Sequence, residues 1–304
     1  KKIIIYSGDE FKQYEMQSQF TTDELKSLRF FLGDVRDKDR LLLATKKVDI
    51  IVHAAALKQV PAAEYNPMEF VKTNIHGAEN IVFSAIHNKV KKVIALSTDK
   101  TANPINLYGS TKLASDKIFI AANNIVGNDD IAFSVVRYGN VVGSRGSVWQ
   151  LYNSLTKKNN LNFPVTDPQM TRFWITLDQG VEFVDLCLKK MTGGEIFIPI
   201  IPSIKITDLA KSFGSKKTKI IGIRPGEKLH EVLCPRESWY LTFKFKKFFV
   251  IFSDEKIIKL KKIKKYSELG VKVKSNFEYN SFNNTHFLSV KEIKKINNCL
   301  DDTL

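Results

Sequence analysis

Tyr108 and Lys112 stand four residues apart at the start of a stretch of helical character. That spacing sets a phenol and an ammonium on one helix face. An ammonium near a phenol favours the phenolate and lowers its pKa. A tyrosine so tuned can take the proton of an alcohol while a hydride leaves the same carbon. Eight to eleven residues upstream lies Ser97-Thr98-Asp99-Lys100. Asp99 and Lys100 add a carboxylate and a second ammonium to the Thr98 hydroxyl, so five polar groups converge on one crevice. The bland alternatives are a chance Tyr-x-x-x-Lys and a solvated ion pair, which contributes little. What weighs against them is placement: in an open parallel sheet, ligands bind outside the carboxyl ends of the strands.

The elements around these residues supply that placement. Short apolar runs at Lys2–Tyr6, Leu28–Leu32, Val48–His53, Val93–Leu96 and Ile131–Arg137 read as strands. Helical patterns separate them, near Glu10–Gln19, Asp37–Thr45, Pro67–Asn88 and Tyr108–Asn123. Strands alternating with helices indicate βαβ units. Runs such as Val48-Asp49-Ile50-Ile51-Val52 suit a sheet covered on both faces. The expected fold is α/β, a Rossmann-like doubly wound parallel sheet over residues 1–145. Residues 146–304, broken by Pro164, Pro168, Pro199, Pro202 and Pro225, read as a smaller α+β substrate cap with some segments returning to the sheet. Thr242–Phe249 alternates Phe and Lys and reads as one half-buried strand rather than a nucleic-acid strip.

Composition narrows the classes. Of 304 residues, 43% are hydrophobic and 26% charged, as in globular proteins rather than disordered or fibrous ones. No apolar run approaches the ~20 residues of a membrane helix, so no membrane is expected. Cys187, Cys234 and Cys299 lie far apart, and His53, His76, His87, His230 and His286 form no ligand spacing, so no metal and no disulfide framework are expected. His53 reads as a strand-end packing residue. A reduced, cytoplasmic setting fits. The net charge of +15 is concentrated in residues 201–304, with 22 Lys+Arg against 11 Asp+Glu. Only eight of the 47 cations are arginine, which argues against base reading and for a solvated lysine surface. No nucleic-acid partner is expected.

The motifs taken together carry a resemblance. Thr98-Asp99-Lys100, Tyr108-x-x-x-Lys112, the segment from Ala54 to Pro61, Arg137-Tyr138-Gly139-Asn140 with Val141 to Ser147, Met170 to Thr176, and Arg224-Pro225-Gly226-Glu227-Lys228 resemble the extended short-chain dehydrogenase/reductase superfamily. Within it they are similar to the inverting UDP-N-acetylglucosamine 4,6-dehydratases of pseudaminic-acid synthesis for flagellin glycosylation. The resemblance implies a redox-neutral lyase using NADP. In it Tyr108, with Lys112 and Thr98, would handle the sugar 4-hydroxyl; Lys100 would remove the C5 proton, and Asp99 would protonate the departing 6-hydroxyl. It implies cofactor contacts from Ser7, Asp9, Lys12, Gln13, Asp34, Val35, Ala54, Leu96, Ser97 and Val141. It implies UDP-sugar contacts from Lys58, Asn140, Arg145, Arg172, Arg224 and Glu227, with guanidinium forks, Arg137 included, suited to a diphosphate. It also implies a homo-oligomer, by resemblance a hexamer. Tyr108 points to the type without a membrane anchor, because membrane-bound relatives carry Met there.

Two departures stand out. No G-x-G-x-x-G occurs in the chain, so the resemblance implies about thirty residues ahead of Lys1, including a first strand whose neighbours would otherwise have unpaired edges. Gly8 stands where the family usually has Arg for the 2′-phosphate of NADP, which opens NAD as an alternative, with Lys12 as partial compensation. The competing readings are a UDP-sugar 4-epimerase, which has no need of Asp99-Lys100, and a catalytically inactive remnant. An RNA-binding protein is the most distant.

Overall fold

The computed structural model describes residues 2–127, 130–215, 217–253 and 270–301. β1 (Ile3–Ser7) runs parallel to β2 (Leu28–Leu32), with Ile3 opposite Leu28 and Ser7 opposite Leu32. Between them lie α1 (Glu10–Gln17), capped by the Asp9 side chain, and α2 (Thr22–Leu25), closed by a Thr21–Glu24 capping box. Next come α3 (Lys38–Ala44), capped by Asp37, and β3 (Ile50–His53).

The single helix expected over Pro67–Asn88 is broken up. α4 (Val60–Tyr65) and α5 (Pro67–Phe70) lead into a π-helical turn, Val71–His76, before α6 (Gly77–His87). Such a turn re-aims side chains and often marks a functional site. Here it buries Asn74, which donates to Leu57 O at 3.0 Å, accepts from Leu57 N at 2.9 Å, and donates to Thr111 Oγ1 at 3.0 Å. The loop after β3 is thereby tied to the next helix.

β4 (Lys92–Thr98), α7 (Leu107–Ile125) and β5 (Ala132–Tyr138) follow. The rest of the chain supplies β6 (Asn140–Val141), α8 (Val148–Lys157), β7 (Asn162–Val165), β8 (Thr171–Ile175), α9 (Leu177–Lys190) and β9 (Glu195–Pro199). Then come β10 (Ser203–Lys205), α10 (Ile206–Ser212), β11 (Lys217–Ile220), β12 (Val232–Cys234), β13 (Thr242–Lys244) and β14 (Phe248–Phe252). β15 (Val271–Lys272), β16 (Tyr279–Asn280) and α11 (Val290–Asp301) complete it.

The main sheet has seven strands in the order β15-β13-β14-β9-β5-β4-β3. β3, β4, β5 and β9 are parallel; β14, β13 and β15 run antiparallel. Period-two alternation makes it doubly wound. Val93, Ala95, Phe133 and Val135 face α6 and α7 in one core cluster. Ile94, Val136 and Phe197 face Phe183 and Cys187 of α9 in another. A third cluster, with Trp149, Tyr152, Phe163 and Trp174, holds the later helices and small sheets together. The strand expected over Thr242–Phe249 is two strands with a turn between them. Phe248–Phe252 is buried along its whole length between β9 and β13, so the alternation ends at the turn.

β1 and β2 form a separate two-stranded sheet. Among the described residues no ladder joins β1 to β3. Ile3 is 55% exposed, Ile50 48% and Val52 47%. Side chains make the attachment: Asn80 Nδ2 donates to Val35 O and Arg36 O, and Val35 packs in the first core cluster. No described helix is long and apolar enough to cross a membrane.

Candidate active site

β4 delivers Thr98 to the crevice and ends in a single 3-10 turn, Asp99–Thr101. Thr98 Oγ1 accepts from Lys100 N and donates to Asp99 Oδ1 at 3.0 Å. α7 starts hard against that turn. Asn106 caps it, accepting from Gly109 N at 2.8 Å and donating to Gly226 O at 2.7 Å. A Cβ on Gly109 would lie 2.3 Å from the Lys100 carbonyl oxygen. Glycine is therefore what lets Tyr108 approach the Asp99–Lys100 turn so closely.

Tyr108 is buried, and its phenol feels both Thr98 and Lys100. Burial pushes its phenol up to about 12, against the opposing pull of Lys100 and Thr98. The expected tuning by Lys112 is not what the geometry shows. Lys112 Nζ donates to Leu96 O at 2.8 Å, and the cation that acts on the phenol is Lys100. Shared helix face is a statement about Cβ directions, and the long lysine chain ends at a strand carbonyl. Burial lowers the Lys112 pKa, with Asp116 opposing.

Asp99 is wholly buried. Lys100 Nζ donates to Asp99 Oδ1 at 3.0 Å and faces Glu231 Oε1 at 3.3 Å. Glu231 lies just ahead of β12 and is also buried, with Arg172 Nε 3.8 Å away. Asp99 Oδ2 and Glu231 Oε2 have no partner. Burial raises the Asp99 pKa; Lys100 offsets this in part and Glu231 adds to it. Burial opposes the charge on Lys100, but Asp99 and Glu231 outweigh it and the ammonium is held charged. Glu231 goes the other way from Asp99: burial is outweighed by Lys100, Arg172 and Lys228, and its pKa falls. The Lys100 side chain is 24% exposed, so this otherwise closed cluster has one member that reaches the crevice.

Several expected ligand contacts are already engaged. Arg172 donates to Thr171 O, Leu229 O and Lys228 O and faces Glu227 at 3.5 Å, so it is no free fork for a diphosphate. Arg137 is buried against Asp116 at 3.2 Å and donates to Leu233 O. Arg224 and Glu227 form a bidentate pair, both bonds 3.0 Å. Burial first, and the charge of Lys100 second, lower the pKa of Lys58 in the loop after β3. Asn140 lies in β6 with its Oδ1 buried and unpartnered. Arg145 is exposed, and its charge acts on Asp9, on the side expected for the cofactor.

On that side Asp9 pairs with Lys12 at 2.5 Å, and Asp34 with Arg36 at 2.6 Å. Lys12 is thus held by Asp9 rather than free to compensate for Gly8. Gln13 donates to Ser7 O and Phe31 O and so fastens α1 to the strand ends. Val35 is a core residue, not a crevice wall. Ser97 donates to Asp116 at 2.8 Å. Ala54 is exposed, while Leu96 and Val141 are half-buried. The residues present fit the two ribose ends of a dinucleotide. Ser7, Asp9 and Asp34 cluster at adjoining strand ends, and the buried Lys112 ammonium has protons beyond the one given to Leu96 O. Among the described residues no group of His, Cys, Asp or Glu could hold a metal.

Three residues escaped the sequence reading. Asp116 continues the Tyr108–Lys112 face by four more residues, a signal that was there to be used. Asn74 and Glu231 carry no local signal; only the π turn and the packing of residues 228–231 bring them in.

The fold and this centre define a doubly wound α/β protein with a Tyr-x-x-x-Lys pair beside a buried acid–base cluster. The family model described as polysaccharide biosynthesis protein matches residues 1–253, and the chain belongs to that family, within the extended short-chain dehydrogenase/reductases. It is 53% identical over 301 residues to a UDP-N-acetylglucosamine 4,6-dehydratase (inverting) of Campylobacter jejuni subsp. jejuni serotype O:23/36, covering 98% of this chain and 89% of that one. It is 39% identical to a UDP-glucose 4-epimerase of Rickettsia akari, covering 99% and 88%. Among solved structures, Pen from Bacillus thuringiensis superposes with a TM-score of 0.86 at 34% identity, covering 99% of this chain and 90% of that one.

Proposed function

We propose that this protein is a nucleotide-sugar lyase that performs NADP-dependent 4,6-dehydration of UDP-N-acetylglucosamine with inversion at C5, the first step of pseudaminic-acid synthesis. The observation that carries the reading is the buried Asp99–Lys100 pair, bonded to Thr98 and set beside Tyr108. The relative at 53% identity is named a UDP-N-acetylglucosamine 4,6-dehydratase (inverting), and a solved dTDP-glucose 4,6-dehydratase from Streptomyces venezuelae of similar fold holds NAD. A nicotinamide bound at the strand ends supplies oxidation at C4 and reduction at C6.

The chain's own groups do the rest. Tyr108, with Thr98, takes the proton of the 4-hydroxyl, and Lys112 orients the cofactor ribose. The ketone formed acidifies the C5 proton, which Lys100 removes. Asp99, its pKa raised by burial, accepts the Lys100 proton along their 3.0 Å bond and passes it to the leaving 6-hydroxyl. Lys58, Asn140, Arg145, Arg224 and Glu227 contact the UDP-sugar, the Arg224–Glu227 pair opening to receive it. Residues 1–145 form the dinucleotide-binding unit and 146–304 mainly the substrate unit; the protein works as a cytoplasmic homo-oligomer.

The test is product analysis with UDP-N-acetylglucosamine in deuterated water. A 4-keto-6-deoxy product with deuterium at C5 is expected from the protein and absent from Lys100→Ala. A C4 epimer formed without loss of water means an epimerase instead. No reaction at all means an inactive relative.

A further inference from the structure

Two buried carboxylates, not one, flank Lys100. Asp99 comes from the turn after β4, Glu231 from the segment before β12, and each has one oxygen on the ammonium and one with no partner. Buried polar atoms are nearly always hydrogen-bonded, so two oxygens without a protein partner in one cluster single it out as a candidate functional centre. We propose that Glu231 is a positioning residue whose carboxylate, set against Lys100 Nζ and Arg172 Nε, governs how the proton is shared between Lys100 and Asp99. The inference rests on the dehydratase reading above.

In the elimination the Lys100 ammonium first passes its proton along the 3.0 Å bond to Asp99; the C5–H bond then breaks and its proton goes to the neutral amine. The electron pair left on C5 forms the C5=C6 bond, the C6–O bond breaks, and the oxygen leaves as water with the Asp99 proton. The centre thus passes from neutral amine and neutral acid to ammonium and carboxylate, with no net change in charge. A fixed anion beside both groups supports that exchange. Glu231 raises the pKa of Asp99, keeping it an acid, and raises that of Lys100, making it a stronger base. Arg172 and Lys228 in turn keep Glu231 ionised. The other charged or titratable groups facing Lys100 are Lys58 from the loop after β3 and Tyr108 from α7.

The readout is the pH profile of C5 deuterium exchange in the protein with UDP-N-acetylglucosamine, beside cofactor reduction as a measure of C4 oxidation. Glu231→Gln removes the anion, so both limbs of the profile move to lower pH by about one unit, the low end of what a close charge produces. With that shift, exchange on the alkaline limb falls up to tenfold and exchange on the acid limb rises, while C4 oxidation stays within threefold. Glu231→Asp, a charge held further away, moves the profile in the same direction by less than half as much, and it decides the matter if the Gln variant does not fold. A purely structural role lowers amplitude without moving the limbs. Unmoved profiles in folded variants overturn the proposal while leaving the dehydratase reading intact; absence of exchange in the unsubstituted protein overturns both.

Discussion

At the ends of β1 and β2 the ionisable side chains face water and pair with neighbours two or three residues away, Asp9 with Lys12 and Asp34 with Arg36. At the end of β4 they are buried and pair across the fold: Lys100 with Glu231, 131 positions later, and Glu231 with Arg172. Exposed pairs of the first kind contribute about 0–1 kcal/mol each. Charges of the second kind cost several kcal/mol each to remove from water, and hydrophobic replacements are often at least as stable. Local, solvated charge is a surface property, and desolvated charge gathered from distant elements, with oxygens left bare, is the mark of chemistry.

Asp99→Asn breaks this contrast most directly. It should lower turnover about a thousandfold, within the usual worth of a positioned acid, and lower the thermal midpoint as well, because the Lys100 ammonium loses the charge of one of its two buried partners. Turnover within tenfold of the unsubstituted protein would remove Asp99 from the mechanism.

His53 ends β3, between the two regions, and its Nε2 is buried without a partner. Burial first, and Lys112 second, depress its pKa to about 3. The unfolded chain binds this proton near pH 6.5 and the folded one does not, so stability is present above that pH and is lost as pH falls toward 3. The loss is on the order of 5 kcal/mol at about 1.36 kcal/mol per unit. Chemical denaturation of His53→Leu across that range should show a flatter pH dependence than the unsubstituted protein; parallel curves count against it.

Gly109→Ala tests the close approach of α7 to the turn. The added methyl meets backbone, not a flexible side chain, so about 3 kcal/mol of stability should go, read as a midpoint lowered by several degrees with activity lost alongside. A variant that melts and turns over normally would mean that the helix and turn can part.

The exposed side should respond more gently. A Cβ at Gly8 meets only Gly33 O, at 3.7 Å, so a longer side chain has room. Gly8→Arg should raise the NADP/NAD ratio of dissociation-derived affinities tenfold to a hundredfold, the worth of a charged hydrogen bond at about 1.5–3 kcal/mol. An unchanged ratio would place the discriminating charge elsewhere. Smallest of all is Asp34→Asn, which removes one partner of an exposed pair and should change stability by less than about 0.5 kcal/mol. A larger loss would show that the β1–β2 pair depends on its surface charges after all.

The strands and their parallel order were legible because each is a short apolar run between helical patterns, and burial on both faces leaves that pattern in the chain itself. Tyr108, Lys112, Asp99 and Lys100 were legible because their grouping is local: one helix face and one strand end. The break in the helix after Pro67 was not legible, since a π turn changes which side chain is buried without changing the apolar pattern much. The fates of Arg137 and Arg172 were not legible either. A guanidinium that receives a ligand and one that bonds backbone carbonyls look alike in sequence, and only packing shows Arg172 filled by Thr171, Lys228 and Leu229. Sequence alone thus determined the sheet and the two halves of the acid–base pair, because period and short spacing are local. Tertiary structure alone decided that Lys100 rather than Lys112 acts on the phenol, and that Glu231 joins the centre, because burial and contact across 131 positions are settled by packing.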